Sequence, residues 1–286
     1  MTASFSLTGC TNVRVIKGNR SSGDAANATS SAESTSKNNR VVEFLDAIGN
    51  LHVITVDQNV KMHPYDKEKF KRKGNTMTYE DDKYKSRLGI DVSHHQGNIN
   101  WTKVKNAGYK FAFIRIGYRG YGKDGTVNID SMFEKNIKGA HEAGLDVGVY
   151  FFSQAINEKE AKEEAEFIIK IIKNYEIELP VVFDPEEITT DEARTDNVTG
   201  EQFTKNTLAF AKKIKSAGFK PMLYSNFMWE AYKYDMKKLN KIDFWYADYQ
   251  EKPQSPYDFE FWQYTEKGTV PGIEGAVDLN IQMIEK

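Results

Sequence analysis

From Leu88 to the C-terminus, short apolar runs rich in β-branched and aromatic residues alternate with longer stretches whose apolar positions recur every three or four residues. The short runs read as buried strands and the longer stretches as amphipathic helices. The predicted strands are 89–93, 111–117, 147–153, 180–186, 220–226, 243–249, 259–265 and 276–282. Two helices are sharply bounded. Asn157 with Glu160 makes a capping box ahead of Ala161, Ala165, Ile168 and Ile172, which share one helical stripe. Thr199 with Gln202 repeats the device before Phe203, Phe210 and Ile214. Asn106-Ala107-Gly108-Tyr109, Glu142-Ala143-Gly144-Leu145 and Ser216-Ala217-Gly218-Phe219 each close a helix just before a strand, with a glycine free to turn left-handed. Strand–helix alternation of this kind predicts an α/β fold with a largely parallel sheet, and eight strands suffice to close a barrel. After the fifth strand the connections shorten, so the barrel is expected to be irregular in its last three strands.

The pattern before Leu88 is different. Residues 11–39 are small and polar with almost no large apolar side chain, too little to offset the entropy of ordering, which predicts a disordered tether within 1–39. Two β-prone runs at 41–46 and 51–56, separated by Ala47-Ile48-Gly49-Asn50, predict a hairpin. Two strands alone are marginal, so the region 40–87 is expected either to pack on the main domain or to form a small accessory unit and linker, with the catalytic barrel at 88–286. The basic stretch 67–73 reads as a solvated face, and His52 and His63 lack a matching ligand cluster and read as structural.

Composition narrows the functional classes. The 286 residues, 40% of them hydrophobic, accommodate one large domain plus an appendage. With 39 basic against 41 acidic residues the formal charge is −2, which excludes a general nucleic-acid binder. Aromatic side chains are plentiful, at 15 Tyr, 17 Phe and 4 Trp, enough for both a core and a sugar-binding cleft. The single cysteine, Cys10, excludes an intramolecular disulfide and a cysteine-based metal site.

The candidate chemistry lies where apolar strands end in acid. Leu179-Pro180-Val181-Val182-Phe183-Asp184-Pro185-Glu186-Glu187 delivers Asp184 and Glu186 two residues apart, hence on one face of a strand end. Buried carboxylates there are costly and therefore suggest a site. Asp91 lies between Ile90 and Val92 in the first barrel strand, and Asp278 lies in the eighth. First and eighth strands are neighbours in a closed barrel, so Asp91 and Asp278 are expected side by side, across the mouth from Asp184 and Glu186. Four converging carboxylates suit glycoside hydrolysis, in which one acid is held protonated while others remain ionised. Taken singly, each aspartate could equally be a loop cap or an ion-pair partner.

Three stretches then add a resemblance. Gly89-Ile90-Asp91-Val92-Ser93-His94-His95-Gln96-Gly97-Asn98-Ile99-Asn100-Trp101, the Asp184-x-Glu186 strand, and Phe261-Trp262-Gln263-Tyr264 followed by Val270-Pro271-Gly272-Ile273-Glu274-Gly275-Ala276-Val277-Asp278-Leu279-Asn280 together resemble the glycoside hydrolase family 25 lysozymes. The likeness runs over roughly 200 residues. It implies an irregular TIM-like barrel of five βα units plus three further strands. It also implies an N-acetylmuramidase that cuts the β-1,4 bond between N-acetylmuramic acid and N-acetylglucosamine in peptidoglycan, with no cofactor and no metal. By motif, Glu186 would be the general acid, Asp184 would support the reacting centre, and Asp91 and Asp278 would complete an acidic floor. Tyr150 sits where the family has an active-site tyrosine. Tyr118, Tyr224, Trp245 and Trp262 are cleft candidates near strand ends, and Asp248 is either a rim residue or a loop cap. Residues i and i+2 of a strand have Cα atoms about 6.6 Å apart, which leaves retaining, inverting and substrate-assisted routes all open.

The chain departs from the expected pattern at Pro185, which removes a ladder donor, and at Glu187, which adds a third carboxylate facing the other way. Arg115 is a candidate to neutralise an aspartate. His94-His95 resembles a metal pair, but adjacent strand residues are expected to point apart. Leu7-Thr8-Gly9-Cys10 resembles the lipobox of bacterial lipoproteins, making Cys10 a lipidation candidate, with a chance four-residue match as the alternative. The expected setting is extracytoplasmic, secreted or lipid-anchored, as a monomer acting on peptidoglycan glycan strands. Rival readings are a non-catalytic peptidoglycan-binding barrel, a chitinase-like glycosidase, and a wall amidase or peptidase, for which a zinc-ligand set is wanting.

Overall fold

The computed structural model describes residues 39–286; Cys10 and the predicted tether lie outside the described residues. In chain order the strands begin with β1 (Asn39–Leu45), β2 (Leu51–Asp57), β3 (Phe70–Lys73) and β4 (Thr76–Tyr79). The barrel portion then runs β5 (Tyr84–Val92), α1 (Trp101–Asn106), β6 (Phe111–Arg119), β7 (Val127–Ile129), α2 (Phe133–Glu142), β8 (Asp146–Ser153), α3 (Glu158–Ile172) and β9 (Val181–Pro185). It continues with α4 (Gly200–Ser216), β10 (Pro221–Asn226), α5 (Phe227–Tyr232), α6 (Met236–Leu239), β11 (Asp243–Ala247), β12 (Phe261–Gly268) and β13 (Val277–Glu285).

Eight strands close a barrel in the order β5-β13-β12-β11-β10-β9-β8-β6, with β6 returning to pair β5 and β7 pairing antiparallel with the last residues of β6, on the edge opposite β8. Barrel neighbours from β5 through β12 are parallel, whereas β13 is antiparallel to both β12 and β5. The short link from Gly268 to Val277 explains the reversal, because returning a strand to parallel needs a crossover of a dozen residues or more. The irregular late strands expected from the shortened connections are therefore present. Both predicted capping residues act as expected: Asn157 accepts from the Glu160 N–H and Thr199 from the Gln202 N–H. Gly108, Gly144 and Gly218 hold φ of 102°, 75° and 88° just past their helices.

Period-two alternation divides the barrel into two cores. Ile90, Ile114, Val149, Phe183, Leu223, Tyr246, Trp262 and Leu279 face the outer layer, where Ile137, Ile168, Phe210 and Ile214 of the helices meet them. Inside, Phe111, Phe113, Leu179, Val182, Met222, Trp245 and Phe261 form a second cluster, joined by Tyr150 and Tyr224. Burying each such ring contributes about 2–3 kcal/mol. The lumen has no space to spare: a Cβ at Gly89 would lie 2.2 Å from the Phe111 ring, and one at Gly148 2.4 Å from the Phe113 ring.

The predicted hairpin forms and packs on the barrel. Phe44 packs at a tilt on Phe227 with centroids 4.3 Å apart, the Gln254 side chain bonds both the N–H and the carbonyl of Leu45, and Asp57 pairs with Lys237 at 2.6 Å. A second hairpin, β3–β4, was not expected from the basic stretch. Its charges do face water, while Phe70, Met77 and Tyr79 are buried, Phe70 edge-on to Trp262 at 5.2 Å.

Candidate active site

The C-terminal ends of the parallel strands and the first residues of antiparallel β13 form one mouth. Asp91, one residue from the end of β5, is the direct register partner of Asp278, the second residue of β13. Their carboxyl groups are close enough that each shifts the other's proton affinity. Asp91 Oδ2 also accepts from Asn280 Nδ2 at 2.7 Å and Gln263 Nε2 at 2.9 Å. These amides are held in turn: Trp245 Nε1 donates to Asn280 Oδ1 at 2.8 Å, and the Tyr224 and Tyr249 hydroxyls donate to Gln263 Oε1 at 2.8 and 2.9 Å. Burial raises Asp91 to about 6 against the amide bonds that favour its ionised form. Asp278 is raised by burial and then by the Asp91 charge.

On the opposite side, β9 carries Asp184 as its penultimate residue, and Glu186 follows directly after the strand. Asp184 is 4% exposed and Glu186 is half-buried nearer the mouth. Burial raises Glu186 to about 7; Asp184 is raised by burial first and by the Glu186 charge second. Each carboxyl shifts the other, so the two titrate as a pair, and Asp184 Oδ1 has no hydrogen-bond partner among the described residues. Of the two, Glu186 is the one placed to present a proton to a ligand in the mouth. Glu187 is exposed and paired with Lys233, on the other side of the chain as the alternation requires.

The remaining candidates divide by location. Tyr150 and Tyr224 flank Trp245 edge-on, with centroids 5.8 and 4.9 Å from it, beneath the carboxylates. Their hydroxyls are pushed up by burial and remain O–H donors at neutral pH. Tyr118 lies at the end of β6 with the Arg115 guanidinium over its ring at 5.5 Å. Trp262 is not brought to the mouth: it is fully buried in the outer layer, its Nε1 donating to the Asp248 carbonyl. Asp248 acts as a loop cap, accepting from the Tyr246 hydroxyl and from the N–H groups of Gln250 and Gln254.

Arg115 pairs with Asp130 at 2.8 Å, and its charge favours the ionised forms of Asp184 and Glu186. His94 and His95 do not point apart; their rings lie 4.0 Å from each other, because they sit on a short 3-10 turn rather than on extended chain. His94 bonds Asp130 through its main-chain N–H and Nδ1. Among the described residues, no group of three or more His, Cys, Asp or Glu is arranged to hold a metal ion. Gln263, Asn280 and Tyr249 were given no role by the sequence reading. The signal for two of them was available: Gln263 stands two residues from Phe261, and Asn280 two from Asp278, hence on the lumen face.

Residues 90–273 match the family model described as glycosyl hydrolases family 25. Lysozyme M1 from Streptomyces globisporus is 30% identical over 204 residues, covering 67% of this chain and 66% of that protein. The autolytic lysozyme of Clostridium acetobutylicum is 26% identical over 196 residues, covering 67% of this chain, which thus spans 54% of that relative's length. Among solved structures, a family 25 glycosyl hydrolase from Bacillus anthracis superposes with a TM-score of 0.57 at 27% identity, over 74% of this chain and 94% of that one.

Proposed function

The chain belongs to glycosyl hydrolase family 25, and from that premise we propose that it hydrolyses the β-1,4 bond from N-acetylmuramic acid to N-acetylglucosamine in peptidoglycan. The observation that carries this reading is the carboxyl pair Asp184–Glu186 at the end of one strand, opposite Asp91 and Asp278 in one aromatic-floored mouth, with Glu186 raised to about 7 by burial. Glu186 donates its proton to the glycosidic oxygen as the bond to C1 of the muramic acid breaks. Asp184, deeper and ionised once the proton has left the pair, faces the positive charge that develops on the sugar ring or orients the acetamido group. Water completes the balance, its hydroxyl ending on C1 and its remaining proton returning to the carboxyl pair. Asp91, with Asp278, supplies a fixed negative floor whose position is set by the Asn280 and Gln263 amides. Tyr118, Tyr150, Tyr224 and Tyr249 make the sugar-facing wall; Trp245, expected at the cleft, is instead fully buried in the packed lumen beneath them.

Digestion of purified peptidoglycan tests the reading. New reducing ends should be muramic acid, and they should vanish with Glu186→Gln. Glucosamine ends, freed stem peptides or no product from the wild-type protein would overturn it. The wall substrate places the enzyme outside the cytoplasmic membrane. The Leu7-Thr8-Gly9-Cys10 sequence supports its being held there by a lipid anchor, in which case labelling with radioactive palmitate should be lost on Cys10→Ser.

A further inference from the structure

The proton donor stands on main chain that the sheet no longer holds. The β8–β9 ladder ends at Ser153 opposite Pro185, and Pro185 has no N–H to offer. The next position on β8's side is Gln154, whose side chain is fully buried and whose amide makes three hydrogen bonds. Gln154 Nε2 donates to the Glu186 carbonyl at 2.7 Å and to the Ser153 carbonyl at 3.1 Å, and Oε1 accepts from Thr195 Oγ1 at 2.9 Å. Its own carbonyl accepts from Arg194 Nη1 at 3.1 Å. Arg194 is in turn locked by two bonds to Glu160, at 2.7 and 2.8 Å, on the helix that follows β8.

We propose that Gln154 is a positioning residue for Glu186: its side-chain amide stands in for the missing ladder bond and fixes the main chain that carries the proton donor. The bracket also ties the loop after β9, through Thr195, to the same carbonyl. This inference rests on the reading of Glu186 as the general acid. A proton donor displaced by an ångström loses on the order of 100-fold in rate, so a single hydrogen bond at its main chain has leverage that its own energy does not suggest.

Gln154→Leu keeps the buried volume and removes all three side-chain bonds. On soluble chains of alternating N-acetylglucosamine and N-acetylmuramic acid, kcat should fall by about 10- to 100-fold while KM stays within about twofold. The alkaline limb of the kcat/KM profile should move to lower pH by about half a unit or more, because a loosened Glu186 is better solvated and gives up its proton sooner. A folded Gln154→Leu protein with wild-type kcat and pH profile would overturn the inference, as would kcat and KM worsening together in step with a fall in Tm. Should that variant fail to fold, Thr195→Val releases only the Oε1 end; a few-fold loss of kcat with the same direction of pH shift is expected, and no change in either overturns the inference. An inactive wild-type protein would instead overturn the proposed function itself, and this inference with it.

Discussion

Removing the proton donor should make the protein more stable, and increasingly so as pH rises. Burial raises Glu186 from its ordinary 4.5 to about 7. Below about pH 4.5 the carboxyl is protonated in both folded and unfolded chains, and it costs nothing. Between those values the folded chain binds more protons than the unfolded one, so stability falls with rising pH. Above about 7 the full penalty is present. At about 1.4 kcal/mol per pH unit, the difference of about 2.5 units corresponds to about 3 kcal/mol. Gln cannot ionise, so Glu186→Gln escapes this penalty. Differential scanning calorimetry of both proteins should give matching Tm values near pH 4 and a lead of about 6–12 °C for Glu186→Gln near pH 8, using about 2–4 °C per kcal/mol for a domain of this size. A Tm difference that is flat across this range, or a wild-type protein that is the more stable at pH 8, would refute the claim that burial holds the Glu186 proton.

Asn280→Ala removes one of the two amide donors that keep Asp91 ionisable, so Asp91 should rise further above about 6 and the acidic limb of the activity profile should move to higher pH. An unmoved acidic limb would separate Asp91 from catalysis. Gly148→Ala drives a Cβ against the Phe113 ring and the Pro180 carbonyl inside the lumen, and urea unfolding should register a loss of about 1–3 kcal/mol. Asn157→Ala deletes the cap on α3 and should cost about 1 kcal/mol in the same assay without altering KM.

Much of the barrel was legible before any coordinates because its signals are local. Strand runs, capping residues and the glycines after three helices each depend on a few neighbouring residues. Asp184 and Glu186 stood out for the same reason, since an apolar strand ending in acid is conspicuous in one dimension. The β3–β4 hairpin was hidden because three of the four β3 residues are basic; Phe70 is buried by Tyr65, Tyr79 and Trp262 of the barrel's outer layer, contacts that only the fold brings together. Trp262 itself lay one residue out of phase with Phe261 and Gln263, and a one-residue step moves a side chain from lumen to outer layer.

The sequence by itself determined the α/β alternation, the eight strands and the four carboxylates, because period-two and period-3.6 patterns and acid at strand ends are written in adjacent positions. Tertiary structure alone decided that β13 runs antiparallel. That reversal brings Asp278 to the mouth at the beginning of its strand rather than the end, in register with Asp91. Structure alone also decided which amides fix Asp91, and that a glutamine from β8's end holds the chain beneath Glu186. Those contacts join residues separated by 32 to 189 positions. Such pairs are selected by the closure of the barrel, where an unpaired buried carbonyl or carboxylate costs more than either residue's local preference can express.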